Sequence, residues 1–194
     1  MKRKIYVTPI ARMAIVAALL TVIICITAYM SSAVTVEETN EEPAQAEAEL
    51  ICIYENVPLD IELHNYIVAE CEKNGIRPEI IFAMIQRESE FNAETIGDNG
   101  QSFGLMQIQP CWHYSKMLEL NCTNLLDEKQ NVTVGISILA DLIAEGKGIE
   151  WALMAYNAGA SNADKMAAQS IVSDYAKDVI NLAENWGRTY EYAG

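Results

Sequence analysis

Apolar and polar residues recur with a helical period over most of the chain beyond residue 52. A helix is predicted over each of seven segments, which are residues 60–73, 77–90, 112–120, 131–145, 149–156, 162–168 and 173–186. Only the stretch 94–109 departs from this pattern. It is rich in Gly, Asn and Asp and predicts an irregular lobe with a short hairpin. The pattern therefore indicates one mainly α-helical domain over residues 52–194.

The first 33 residues carry a different pattern. Residues 13–30 hold no charge, and as a helix they would reach about 27 Å, enough to cross the apolar core of a bilayer. Basic residues precede this segment and an acidic tract follows it. The positive-inside rule then predicts a cytoplasmic N-terminus, a membrane anchor and an extracytoplasmic domain. A signal peptide cleaved after Ala33 is the alternative, and it delivers the domain to the same side. We interpret residues 34–51 as an acidic linker.

The charge of the chain restricts its partners. The net charge is -14, and all 27 acidic residues lie at or beyond Glu37. A surface this acidic repels nucleic acid, so nucleic-acid binding is not expected. A substrate must therefore be bound mainly by groove shape and hydrogen bonds. No Cys or His spacing resembles a zinc site, and neither a metal nor a cofactor is predicted. Four cysteines follow the membrane segment and leave disulfide pairing open, namely Cys52, Cys71, Cys111 and Cys122.

One acidic residue lies on the apolar face of a predicted helix. Three residues form an apolar stripe on the helix at 77–90, namely Ile81, Met84 and Ile85. Glu88 continues that stripe, because it lies only about 20° around the helix axis from Ile81, whereas Glu90 points to the opposite side. Burial raises the pKa of a carboxyl group that has no cation beside it. A carboxylic acid that stays protonated can protonate a glycosidic oxygen. The periodicity alone also fits a structural Glu that reaches water or pairs with Arg77 or Arg87.

Three short motifs favour the catalytic interpretation of Glu88 over the structural one. They are residues 88–92 (ESEFN), 102–108 (SFGLMQI) and 155–159 (AYNAG). In this order and spacing they resemble the soluble lytic transglycosylase (SLT) family of the lysozyme superfamily, over roughly residues 59–175. The resemblance implies a mainly α, lysozyme-like fold with a small irregular or β-hairpin lobe, preceded here by the N-terminal membrane helix. It also implies an enzyme that cleaves the glycan strand of peptidoglycan.

The resemblance assigns roles to nine residues. Glu88 matches the catalytic Glu, and Ser89 matches a serine that contacts the sugar at the cleavage point. Tyr156 and Asn157 match the pair that binds an N-acetyl sugar. Tyr175 matches a late tyrosine whose hydroxyl bonds the catalytic carboxylate. Four consecutive residues match the loop that shapes the groove, the last of them reaching sugar or peptide: Gly104, Leu105, Met106 and Gln107.

The resemblance further implies catalysis by one carboxyl group, where most glycosidases use two. Glu88 would protonate the oxygen that joins N-acetylmuramic acid to N-acetylglucosamine. It would then activate the muramic acid 6-hydroxyl, which closes a 1,6-anhydro ring. Asp98 leaves an alternative open, because it either belongs to a turn or positions a water, as in goose-type lysozymes, and gives a hydrolytic muramidase.

Two more hypotheses concern the role of the whole domain. It could be a non-catalytic module that binds the cell wall, or a component of a secretion or conjugation apparatus. The expected partners are peptidoglycan strands and, through residues 13–30, the membrane. Trp112 and His113 directly follow the loop motif. They either line the substrate groove or pack into the core.

Overall fold

A computed structural model describes residues 50–54, 57–186 and 188–192 of the chain. Its elements, in chain order, are β1 (Leu50–Tyr54), α1 (Ile61–Lys73), α2 (Pro78–Ser89), β2 (Ile96–Gly97), β3 (Ser102–Phe103), α3 (Pro110–Glu119), α4 (Glu128–Ala144), α5 (Ile149–Ala158), α6 (Ala160–Ala168), α7 (Asp174–Glu184) and β4 (Arg188–Tyr192). The mainly helical architecture predicted from the sequence is therefore present, with a hairpin in the predicted lobe.

All seven predicted helices occur, and a capping carboxylate explains where two of them begin. Asp60 precedes α1, and its carboxylate accepts a hydrogen bond from the backbone N–H of Leu63 at 3.0 Å. Asp127 caps α4 in the same way through Gln130. This cap starts α4 three residues before the predicted residue 131, because the polar first turn carries no apolar periodicity.

Helix α2 is the centre of the core. Its residues 81–85 have no exposed surface, and the helix packs against α1 and α7. The sequence predicted a single buried stripe on this helix. The structure instead buries nearly its whole circumference, because neighbouring helices cover both sides. A helix held this firmly fixes the position of the residues at its C-terminal end.

A second pair of strands was missed by the sequence prediction. β1 pairs antiparallel with β4, with Leu50 opposite Tyr192 and Tyr54 opposite Arg188. β1 begins inside the stretch interpreted as linker. The error has a physical reason, since a five-residue apolar run gains strand structure only from a partner near the other end of the chain.

Two predictions, one about a membrane helix near the N-terminus and one about the cysteines, fall partly or wholly outside the described residues. The predicted membrane helix at 13–30 lies outside the described residues. Among the helices that the structure does describe, none is long and apolar enough to span a bilayer. Cys71 and Cys122 are buried free thiols, and Cys111 is an exposed one.

Candidate active site

Glu88 lies in the last turn of α2, where the chain leaves the core. The helix ends because Glu90 and Phe91 adopt left-handed backbone conformations, with φ of 52° and 64°. Glu88 is half-buried and Glu90 is exposed. The orientation predicted from the helical period is therefore confirmed.

The environment of Glu88 favours its protonated form. Burial is the largest influence and raises its pKa, and the negative charge of Asp98 raises it further. Two groups act in the opposite direction. The Tyr175 hydroxyl donates a hydrogen bond to Oε1 of Glu88 at 2.6 Å, and the Arg87 guanidinium lowers the pKa through its charge. Arg87 forms its ion pair with Asp178 at 3.4 Å. The net result is a raised pKa.

The structure places Ser89 behind the groove. Its hydroxyl lies 2.9 Å from the carbonyl oxygen of Leu105 and 3.2 Å from that of Ile85, to which it donates. Ser89 is buried, and so are Leu105 and Met106. These contacts attach the 104–107 loop to the end of α2. The sugar contact predicted for Ser89 stays a prediction.

Asn131, to which the sequence assigned no role at the site, fixes the same loop from α4. Its Oδ1 accepts a hydrogen bond from the Met106 N–H at 2.8 Å. Its Nδ2 donates to the carbonyl oxygens of Phe103 and Leu125, each at 2.8 Å. Gly104 lies against this amide with φ of +74°, and a Cβ there would stand 2.3 Å from Nδ2. The loop therefore requires glycine at 104.

A sequence signal for Asn131 does exist. Asn131 opens a row on α4 at helical spacing, followed by Gly135, Ile138 and Leu142. Asn131 is fully buried, and a buried side-chain amide must find partners for its donors and its acceptor. A polar residue at the head of a buried row thus predicts a structural network.

Tyr156 holds the loop from the other side. Its hydroxyl donates to the carbonyl oxygen of Met106 at 2.9 Å. Burial raises the pKa of Tyr156 well above its ordinary value, so the phenol remains a neutral donor. Gln107 turns its amide back onto the lobe and donates to the carbonyl oxygens of Thr95 and Gly104 at 3.0 and 2.9 Å. The loop is consequently fixed on three sides before any ligand arrives.

A groove of about 830 Å³ opens beside Glu88. Its lining comes from α2, from the β2–β3 lobe, from the start of α3, from α4 and α5, and from the turn into α6. Four of the nine predicted site residues line it: Glu88, Gln107, Tyr156 and Asn157. The other five predicted site residues are not among those that line it. Trp112 and His113 also line the groove, which decides between the two placements that the sequence left open.

Asp98 lines the groove and also belongs to a turn. It has a φ of 47°, and Asn99 after it has a φ of 54°. Its Oδ2 accepts hydrogen bonds from the Ser102 hydroxyl at 2.5 Å and from Gln109 Nε2 at 2.9 Å. The structure thus brings Asp98 into the same groove as Glu88 but holds one of its oxygens within the lobe.

The fold and the site together define a lysozyme-like helical domain in which a half-buried carboxyl group lines a groove. Comparison with known proteins identifies the family. The family model described as Transglycosylase SLT domain matches residues 65–179. The chain belongs to this family, which confirms the family predicted from the three motifs and the enzyme class, lytic transglycosylase, that goes with it.

Named relatives match about half of the chain. Invasion protein IagB of Salmonella typhi is 33% identical over 114 residues, which cover 53% of this chain and 70% of that protein. The transglycosylase of Enterobacteria phage PRD1 is 30% identical over 98 residues, covering 50% of this chain and 35% of its own.

Two solved structures share the fold. An inactive mutant of the lytic transglycosylase Slt from Pseudomonas aeruginosa superposes with a TM-score of 0.55 at 21% identity. The 70 kDa soluble lytic transglycosylase from Escherichia coli gives a TM-score of 0.56 at 23% identity. Each match covers 66% of this chain and 24% of the solved chain. The matched part of the chain therefore spans about a quarter of the length of those proteins.

Proposed function

We propose that this chain cleaves the glycan strand of peptidoglycan between N-acetylmuramic acid and N-acetylglucosamine, with Glu88 as acid and then base. The observation that carries the proposal is the raised pKa of Glu88 within the groove of about 830 Å³. A general acid is most effective when its pKa lies near the working pH. Burial moves Glu88 in that direction, and Tyr175 keeps its carboxyl group oriented.

The proposed reaction consumes no water. Glu88 donates its proton to the glycosidic oxygen, and the bond from the anomeric carbon to that oxygen breaks. The N-acetyl group of the muramic acid stabilises the positive charge that forms at the anomeric carbon. Ionised Glu88 then takes the proton of the 6-hydroxyl as that oxygen bonds to the anomeric carbon. A 1,6-anhydro ring results, and Glu88 is protonated again.

Only one oxygen of Glu88 is needed for both proton transfers. The Tyr175 hydroxyl already donates to Oε1. Oε2 is therefore the atom we assign to the proton in the acid form and to proton uptake in the second step. This arrangement suits a single group that alternates between acid and base, since its orientation need not change.

Hydrolysis is the second candidate, and the position of Asp98 favours it. Asp98 lines the same groove as Glu88, and its Oδ1 could hold a water against the anomeric carbon. Against hydrolysis, Ser102 and Gln109 already engage Oδ2. A non-catalytic wall-binding module would have no use for a carboxyl group with a raised pKa.

The location and further partners of the domain are also proposals. We propose that it acts outside the cytoplasmic membrane, anchored by residues 13–30 or released after cleavage behind Ala33. The basic N-terminus and the uncharged segment of the sequence support this. Work within a secretion or conjugation apparatus is a further proposal, which co-purification of the full chain with such machinery tests.

The test of the activity is digestion of purified peptidoglycan by the full chain, with the released muropeptides identified by mass spectrometry. Ends in 1,6-anhydro-N-acetylmuramic acid support the transglycosylase. Reducing ends, heavier by one water, support the muramidase. Glu88→Gln is expected to fold normally and to lose at least about a hundredfold of the rate. Glu90→Gln, on the exposed side of the same helix end, is the matched control and should stay active. Equal activity of the two variants would refute the role of Glu88.

A further inference from the structure

Trp112 is unusually exposed for its size. Its side chain is 79% exposed in the first turn of α3, whereas Trp151 is 4% exposed. An indole ring contributes most to stability or binding when its large apolar face is covered by other groups. Trp112 lies along the groove that contains Glu88. A large uncovered aromatic ring at the edge of a binding groove indicates that a ligand covers it.

The surroundings of Trp112 define what kind of ligand fits. Ile138 and Leu142 of α4 line the same groove. His113 is half-buried, and burial lowers its pKa, so the ring is neutral at neutral pH. Along the described part of the chain, neither Lys nor Arg lines the groove, while Glu88 and Asp98 do. Such a surface repels anions and suits a neutral molecule with an apolar face.

A sugar ring has this character, because its axial C–H groups form an apolar face and its hydroxyl and acetamido groups project from the edge. We propose that Trp112 is the stacking platform of a sugar-binding subsite. It holds one N-acetylglucosamine ring, the uncharged sugar of the glycan strand, at a distance from the bond that Glu88 cleaves. This inference rests on the proposed function, and it adds a determinant of substrate length to it.

Trp112 acts through binding and takes no part in bond cleavage. A strand long enough to reach the indole gains contact area that a shorter one lacks. Replacing Trp112 with Ala should therefore raise KM for long strands by roughly three- to tenfold, the range expected for one aromatic contact. The kcat for long strands and the kinetics of short fragments should change little.

Tyr114 provides a matched control on the same helix. It is 63% exposed, and it does not belong to the residues that line the groove. Two residues along a helix rotate the side chain by about 200°, so Tyr114 points away from the face that carries Trp112. Tyr114→Ala removes a similar exposed aromatic ring without touching the groove.

The experiment uses the full chain and peptide-free glycan strands of two length classes. Binding is measured on the Glu88→Gln background by tryptophan fluorescence and calorimetry, and cleavage is measured with Glu88 intact. We expect long strands to shift the tryptophan emission. Trp112→Phe should abolish that shift and retain most affinity, Trp112→Ala should weaken binding by roughly three- to tenfold, and Tyr114→Ala should match the parent.

The outcomes separate this inference from the proposed function. If the parent cleaves glycan strands but Trp112→Ala keeps the same KM and the same emission shift, the subsite is refuted and the activity stands. If the parent neither binds nor cleaves glycan strands, the proposed function fails and the subsite fails with it. Trp112 is exposed, so its replacement should not disturb folding, and recovery of the KM in Trp112→Tyr would identify stacking as the cause.

Discussion

The Tyr175 hydroxyl lies 2.6 Å from Oε1 of Glu88 and joins α7 to the C-terminal end of α2. Tyr175 is itself 8% exposed, so this bond is shielded from water. A donated hydrogen bond favours the ionised carboxylate, whereas burial favours the protonated acid. Burial is the larger of the two, and the pKa of Glu88 is raised. A group that serves first as acid and then as base must both release and take up a proton, and these two effects act on that balance in opposite directions.

Removing the hydrogen bond from Tyr175 to Glu88 should change how kcat depends on pH. In Tyr175→Phe the pKa of Glu88 loses an influence that lowers it, so that pKa rises further. The first step needs protonated Glu88, and activity is lost as pH rises through its pKa. The alkaline limb of the kcat profile should therefore move to higher pH. The loss of orientation should lower kcat by about 10- to 100-fold.

Tyr156→Phe is the control for this experiment. The Tyr156 hydroxyl donates to the carbonyl oxygen of Met106 and not to Glu88. Its removal should weaken the loop yet leave the alkaline limb in place. An alkaline limb that stays fixed in Tyr175→Phe, or one that moves equally in both variants, would contradict the assignment of the titration to Glu88.

Glu88 should also lower the stability of the folded protein at pH values above the pKa that its carboxyl group has in the unfolded chain. Its folded pKa is raised, so the folded protein retains a proton that the unfolded chain has already released. Between the two pKa values the unfolded state binds fewer protons, and stability falls as pH rises. Below both values the carboxyl group is neutral in each state and imposes no such cost.

Glu88→Gln removes this titration while keeping an acceptor for the Tyr175 hydroxyl. The variant and the parent should therefore unfold at similar temperatures below about pH 4. Near neutral pH the variant should have the higher Tm. Calorimetry of the full chain across this range measures the difference. A Tm difference that does not grow with pH would mean that burial does not shift the pKa of Glu88.

The sequence predicted those parts of the site that depend on local geometry. Glu88 and Glu90 lie two residues apart on one helix, and the helical period alone separates the half-buried residue from the exposed one. The hydroxyl contacts that hold the 104–107 loop could not be predicted from the sequence in the same way. The hydroxyls of Ser89 and Tyr156 donate to backbone carbonyls, whose directions depend on a loop conformation that periodicity does not encode.

Long-range pairing escaped prediction for a related reason. Asn131 reaches the loop from 25 residues away to bind Met106, and β1 finds its partner near the opposite end of the chain. In each case the local pattern does not identify the distant partner: the helical row that Asn131 opens does not show that its amide reaches Met106, and the apolar run of β1 does not show which strand pairs with it. The structure of each segment follows from a partner whose position only the folded core determines.

Asp98→Asn should distinguish the two candidate reactions. Asp98 raises the pKa of Glu88 through its negative charge, so the neutral variant should move the alkaline limb of activity to lower pH. Asn tolerates the left-handed backbone at this position, where φ is 47°. For a transglycosylase we expect less than about a tenfold change in kcat and unchanged 1,6-anhydro products. Loss of activity together with loss of reducing-end products would instead make Asp98 the residue that positions water.

Gly104→Ala should destabilise the protein through two separable effects. The residue has φ of +74°, and a Cβ would stand 2.3 Å from both Asn131 Nδ2 and the carbonyl oxygen of Leu125. The backbone strain costs about 1–2 kcal/mol, and the steric conflict should bring the total to about 2–4 kcal/mol. Because the loop carries Gln107 and supports the end of α2, activity should fall as well.

Gly146→Ala isolates the backbone contribution. Gly146 has a similar φ of +71°, and a Cβ there meets nothing within 4 Å. This variant should lose only about 1–2 kcal/mol and keep full activity, since the residue lies outside the groove lining. Denaturant unfolding of the full chain measures both changes. Equal losses in the two variants would show that the Asn131 network yields to a methyl group, and that glycine at 104 serves the backbone alone.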